Sequence, residues 1–75
     1  MSYLNFDLIG HSSSGKTEIW RVMNLSGATL GMVSWHGAWR KYDFEVLNRG
    51  DRFDHHCLRE IADFCEVVTK EHRAS

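Results

Sequence analysis

Hydrophobic and polar residues alternate along much of the first two thirds of the chain, as they do in strands with one buried face. Leu4, Phe6 and Leu8 are apolar, whereas Asn5 and Asp7 between them are polar. The same two-residue period returns in three later segments, and glycine- or serine-containing turns separate them. The pattern therefore predicts four β-strands, over about residues 3–9, 16–24, 30–36 and 39–47.

In the last of these strands one face is mainly apolar and the other carries most of the charge. The residues expected on the core face are Arg40, Tyr42, Phe44 and Val46. The residues expected on the opposite face are Trp39, Lys41, Asp43 and Glu45. Trp39 is thus expected to point away from the core, and an exposed ring of that size calls for an explanation.

After residues 48–52, which are mostly polar, the hydrophobic period lengthens from two to about 3.6 residues, which is typical of an amphipathic helix. The apolar residues expected to share one helical face are Cys57, Leu58, Ile61, Phe64, Cys65 and Val68. We predict a helix over about residues 54–71, with Asp54 as its N-cap and Phe53 packed on Leu58.

The short connections between the strands require neighbouring strands to run antiparallel. The predicted fold class is α+β, a four-stranded antiparallel β-meander with one C-terminal helix packed across one face (ββββα). The whole chain, residues 1–75, is expected to form a single domain. One face of the sheet is then left without a helix.

Composition excludes several functional classes. A hydrophobic content of 43% without proline indicates a folded chain, and a net charge of −1 argues against a general polyanion binder. Cys57 and Cys65 would lie about 12 Å apart on a helix, too far for a disulfide bond. Reduced thiols and the lack of a signal-like or membrane-spanning segment indicate a cytoplasmic protein.

Residues 10–17 read GHSSSGKT and match the phosphate-loop pattern G-x-x-x-x-G-K-[ST]. That motif binds phosphate when a strand precedes it and a helix N-terminus follows it. Residues 16–23 are instead rich in β-branched and aromatic side chains, which favour a strand. We therefore predict a hairpin here and expect no nucleotide binding.

Other groups of reactive residues have simpler structural explanations. His56, Glu60 and Asp63 share one side of the predicted helix and could hold a metal together with His36, but such spacing is common on solvated helix faces.

Cys57 lies near a helix N-terminus, where a thiol can be activated, but it falls on the apolar face and is expected to be a small buried side chain. Asp43 and Glu45 lie on one strand face without a cleft around them. We expect no metal, no cofactor and no enzymatic activity.

The segment 35–42 concentrates aromatic and basic residues around a tight turn. Tryptophan, tyrosine and arginine dominate protein-binding hot spots, and flat rings beside cations also stack on single-stranded bases. We expect Trp35 and Tyr42 to belong to the core. The candidate binding residues are Trp39, Arg40, Lys41, His36, Arg21, Met23 and Met32.

The W-x-G-x-W-R-x-Y-x-F segment that starts at Trp35, followed by the C-L-x-E-I-A-D-F segment that starts at Cys57, resembles small uncharacterised bacterial and phage-type proteins. The resemblance covers roughly residues 16–68. It departs at Ala38, where a proline often stands in those proteins. The resemblance implies a phage or mobile-element accessory factor.

These observations together predict a small interaction protein that binds a protein partner or forms a homodimer, without membrane contact. The alternative is a single-stranded nucleic-acid-binding module that uses the same cations and Trp39.

Overall fold

The chain folds into one antiparallel sheet followed by one helix, which confirms the predicted ββββα class. The computed structural model describes residues 3–74. The sheet has the order β1-β2-β3-β4, with every neighbouring pair antiparallel. The elements are β1 (Leu4–His11), β2 (Glu18–Asn24), β3 (Thr29–His36), β4 (Lys41–Val46) and α1 (His55–Ala74).

The start of β4 differs from the prediction, because residues 37–40 form a turn. The N–H of Trp39 donates to the carbonyl of His36 at 3.2 Å, and that of Arg40 donates to the carbonyl of Gly37 at 3.3 Å. Arg40 has a φ of 55°, a left-handed conformation that ends the extended backbone. The prediction that Trp39 and Arg40 continue the strand alternation is therefore wrong.

A bulge interrupts β1 before its last residues. Leu8 pairs with Trp20 and Gly10 pairs with Ile19, so Ile9 is the extra residue. Leu8 and Ile9 are both exposed. β1 extends beyond the bulge, two residues further than the alternation predicts.

The core lies between α1 and the sheet face that carries the alternating apolar residues. Its buried members are Leu4, Val22, Val33, Tyr42, Ile61 and Val68. Gly31 is also buried, and a Cβ there would meet the carbonyl oxygen of Glu45 and lie 2.7 Å from the ring of Phe44. Only glycine therefore lets β3 lie this close to the Phe44 ring.

α1 crosses the sheet diagonally from the start of β1 to the start of β4. Near its N-terminus, Glu60 accepts the main-chain N–H of Tyr3 at 2.8 Å. Near its C-terminus, the hydroxyl of Thr69 accepts the main-chain N–H of Tyr42 at 2.9 Å. Within residues 3–74, the structure contains no helix whose length and apolar character would let it span a membrane.

Phe64, which was expected on the apolar face of the helix, packs against the sheet. Its ring stacks on Phe6 with a centroid separation of 4.1 Å and meets Trp20 edge-on at 5.1 Å. Ile61 is buried one turn earlier on the same helix face. These contacts join the middle of α1 to β1 and β2.

The start of α1 is capped as predicted but packed differently. Asp54 Oδ1 accepts the N–H of Cys57 at 3.0 Å, and this hydrogen bond lowers the pKa of the Asp54 carboxyl. The ring contact that Phe53 makes is with β4, and Leu58 is more exposed than a residue of the apolar face was expected to be. Phe53 packs edge-on against Phe44 at 5.7 Å, whereas Leu58 is 52% exposed and does not share the core face.

Candidate interaction surface

The sheet face turned away from α1, which we call the open face, mixes charged and apolar side chains. Strand register and alternation assign its residues. They are Asn5, Asp7, Ile19, Arg21, Met23, Met32, Ser34, His36, Lys41, Asp43 and Glu45. Five of the seven candidate binding residues lie on this face, and Trp39 and Arg40 lie in the adjoining turn.

Trp39 stands at one corner of the open face with 62% of its surface exposed. Its ring packs on the imidazole of His36, with centroids 4.3 Å apart. Nδ1 of His36 lies 3.5 Å from Oδ2 of Asp43, and His36 is the register partner of Lys41. The corner therefore combines an exposed indole, an imidazole and charges of both signs.

Arg40 differs from its expected position on the core face, because the turn takes it out of the strand. Its side chain is exposed, and its carbonyl oxygen accepts a hydrogen bond from Nη2 of Arg73 at 2.8 Å. This bond ties the turn to the last residues of α1. Trp35 and Tyr42 belong to the core as expected, because their rings meet edge-on at 5.3 Å on the helix side of the sheet.

Arg21 and Met32 are register partners in the middle of the open face. Nη2 of Arg21 lies 3.8 Å from Oδ2 of Asp7, while its buried Nε has no hydrogen-bond partner among the described residues. Met32 is four residues from His36, about 13 Å along β3. The candidates thus separate into a corner group and a central group, and Met23 lies farther along β2.

The phosphate-loop match at residues 10–17 lies in the predicted hairpin. The N–H of Ser12 donates to the carbonyl of Thr17 at 2.8 Å, and that of Gly15 donates to the carbonyl of Ser12 at 2.9 Å. Gly15 has a φ of 74°, which suits the tight connection. Strand β2 stands where a phosphate loop requires a helix, so the dipole and N–H array that would hold phosphate are not built here.

The candidate metal ligands are not brought together. Glu60 uses both carboxylate oxygens to accept the N–H of Tyr3, at 2.8 and 3.0 Å. His56 lies beside Asp54 and the ring of Tyr3 instead. Across residues 3–74, no group of three or more histidine, cysteine, aspartate or glutamate side chains could hold a metal ion.

The two thiols are free, and their surroundings disfavour the thiolate. Burial raises the pKa of Cys57, and the neighbouring Asp54 raises it further. Burial, with a smaller contribution from the charge of Asp43, raises the pKa of Cys65 to about 11. A lowered pKa activates a cysteine as a nucleophile, so the surroundings of these two thiols have the opposite effect.

Sequence reasoning missed a groove of about 400 Å³ between β4 and the C-terminal half of α1, which we call the basic groove. It is lined by Lys41, Tyr42, Ala62, Cys65, Glu66, Thr69, Lys70 and Arg73. Lys70 and Arg73 lie near the C-terminal end of α1, where their charges also suit the negative end of the helix dipole. Their spacing of three residues was the available signal, because it places both on one side of α1.

Comparison with known proteins does not identify the chain: no protein-family model, curated protein or solved structure matches it. The resemblance to small bacterial and phage-type proteins therefore stays a prediction. Several of the residues that carry it, including Trp35, Tyr42 and Ile61, are buried or half-buried. Those positions have a packing role that does not depend on any shared activity.

Proposed function

We propose that this protein is a small non-enzymatic interaction module that binds a protein partner or a second copy of itself through the Trp39 corner of the open face. The observation that supports the proposal is the exposure of Trp39, which is 62% accessible while its ring is held against His36. A large aromatic side chain in a fixed position is the usual anchor of a binding hot spot. The resemblance to small bacterial and phage-type proteins supports a phage or mobile-element accessory role. The free thiols support a cytoplasmic location.

The composition of the open face supports the same proposal. Met32 is exposed near its centre, beside the Arg21–Asp7 pair, and methionine adapts its shape to different partners. Charges of both signs border these apolar groups, as they do at the rim of protein interfaces. A face of this kind suits a protein surface better than a small substrate, which requires a deep apolar cavity.

Trp39→Ala tests the proposal, with Leu25→Ala as the matched control. Leu25 is 66% exposed in the turn between β2 and β3, at the opposite end of the sheet. Sedimentation should show weaker self-association of Trp39→Ala, or a tagged chain should retain less partner protein. A loss of about 2 kcal/mol corresponds to roughly thirtyfold in affinity. Leu25→Ala should bind as the native chain does.

The melting temperature distinguishes an interface residue from a core residue. Trp39→Ala should melt close to the native protein, because its ring lies largely outside the core. A destabilised monomer with unchanged association would contradict the proposal. Equal losses for Trp39→Ala and Leu25→Ala would show that the corner has no special role.

The second candidate function, binding of single-stranded nucleic acid, is favoured by the position of Trp39 beside Arg40 and Lys41. Binding of a labelled oligonucleotide should be measured at two salt concentrations. Affinity that falls steeply with salt and is lost in Trp39→Ala would support this alternative, since phosphate contacts release counterions.

A further inference from the structure

Positive charge is concentrated at the basic groove, although the whole chain is close to neutral. The sequence has nine lysine and arginine residues against ten aspartate and glutamate residues. Lys41, Lys70 and Arg73 line the groove, and Arg40 adjoins it through its hydrogen bond with Arg73. Among the described residues that line the groove, Glu66 is the one acid. The groove therefore attracts anionic groups.

Arg73 is held in place for such a role. Its Nη2 donates to the carbonyl of Arg40 at 2.8 Å, and the guanidinium has further N–H groups that can form paired hydrogen bonds with a carboxylate. Lys70 lies 3.6 Å from Glu66 in an exposed pair. Such pairs are weak, so an incoming carboxylate can replace Glu66.

The outer edge of β4 is already bonded at its start, which decides how a partner can bind there. The N–H of Tyr42 donates to Thr69, and the carbonyl of Arg40 accepts from Arg73. A partner strand cannot use these main-chain groups. Recognition at the groove therefore depends on the cationic side chains. Trp39 lies two residues before Lys41 in the chain and is exposed.

We propose that the basic groove binds an acidic peptide segment of a protein partner, whose carboxylates pair with Lys41 and Arg73 while an apolar residue packs on Trp39. This inference rests on the proposed function and specifies its partner. A nucleic-acid strand fits less well, because it needs a longer basic path with several stacking rings.

The test measures fluorescence anisotropy with a labelled twelve-residue peptide in which glutamates alternate with serine and leucine. A second peptide has glutamine in place of every glutamate, and a labelled oligonucleotide of thymidines is the third probe. The groove variant is Lys41→Glu/Lys70→Glu, which leaves Arg73 in place. The matched control is Arg49→Glu/Arg59→Glu, which changes the net charge equally at exposed positions outside the groove.

We expect the native protein to bind the glutamate peptide in preference to the glutamine peptide and the oligonucleotide. The groove variant should bind it at least about tenfold more weakly, and the control variant within about threefold of native. No binding of the glutamate peptide, or equal losses in both variants, would overturn the inference. Tighter binding of the oligonucleotide, lost in the groove variant, would assign the groove to nucleic acid.

The outcome for Trp39→Ala separates this inference from the proposed function. If Trp39→Ala weakens association and the groove variant does not, the interaction surface stands and the acidic-peptide assignment fails. If neither variant changes any association, both proposals fail. Thermal unfolding of each variant shows whether a loss of binding reflects the surface or the fold.

Discussion

The hydroxyl of Thr69 accepts the main-chain N–H of Tyr42 at 2.9 Å, across 27 positions in the chain. The N–H of Leu47 points inward to Leu30 on β3, so the alternate N–H of Tyr42 points outward. An outward N–H on an edge strand can pair with another chain and cause aggregation. Thr69 blocks that pairing at the start of β4 and fixes α1 on the sheet.

Thr69→Val should destabilise the protein by about 1–3 kcal/mol, because it leaves the buried N–H of Tyr42 without an acceptor while preserving volume. Thr69→Ser keeps the hydroxyl and is the control. Urea unfolding of both variants measures the difference. Equal stability of the valine and serine variants would mean that water satisfies this N–H.

The predictable part of the fold follows from which side chains are buried. A strand with one buried face must alternate, and a shift of one residue would expose Val22 and Val33, so the strands could be recognised from the sequence. The turn at residues 37–40 could not be recognised from the sequence. Arginine rarely adopts a positive φ, so nothing in the sequence indicated the φ of 55° at Arg40. The exposure of Leu58 depends on the diagonal crossing of α1, which no local pattern specifies.

Phe64→Ala should cost about 3–5 kcal/mol of unfolding free energy, because it removes the ring that stacks on Phe6 and meets Trp20. Val67→Ala is the matched control, since Val67 lies on the same helix and is 52% exposed. Thermal or urea unfolding gives both values. A Phe64→Ala protein that unfolds like Val67→Ala would show that this ring contributes little to holding α1 on the sheet.

The candidate site was predictable only in part. The alternation places Lys41 on the open face, and the density of aromatic and basic residues singles out Trp39. Lys70 and Arg73 could not be assigned to a groove, because they reach Lys41 only through the packing of α1 against β4. A charged helix turn gives the same sequence signal whether it faces solvent or a neighbouring strand.

Lys16→Ala should leave the stability of the protein within about 0.5 kcal/mol of native, since Lys16 is exposed in the hairpin. Neither protein should bind ATP or GTP, because strand β2 replaces the helix that a phosphate loop needs. Titration with fluorescent nucleotide analogues and a melting curve check both expectations, with Arg49→Ala as the control. Nucleotide binding that Lys16→Ala abolishes and Arg49→Ala preserves would restore the phosphate-loop interpretation.

The Cys65 thiol should react slowly in the folded protein. Its pKa is raised to about 11, chiefly by burial, from an ordinary value of 9.0. Iodoacetamide reacts with the thiolate, so in a Cys57→Ser background alkylation near pH 9 should be much slower in buffer than in urea. Mass spectrometry follows the reaction. Equal rates would mean that Cys65 is open to solvent in the folded state.

The same shift gives the stability of the protein a defined pH dependence. A raised pKa means that the folded state retains a proton that the unfolded state has lost, so the contribution of Cys65 is complete below pH 9 and falls as the pH rises toward 11. Cys65→Ala removes this contribution and leaves every other titratable side chain in place. The stability difference between native and Cys65→Ala, measured by urea unfolding at pH 8 and near pH 10.5, should therefore shrink at the higher pH. A difference that stays constant would show that the thiol titrates alike in both states.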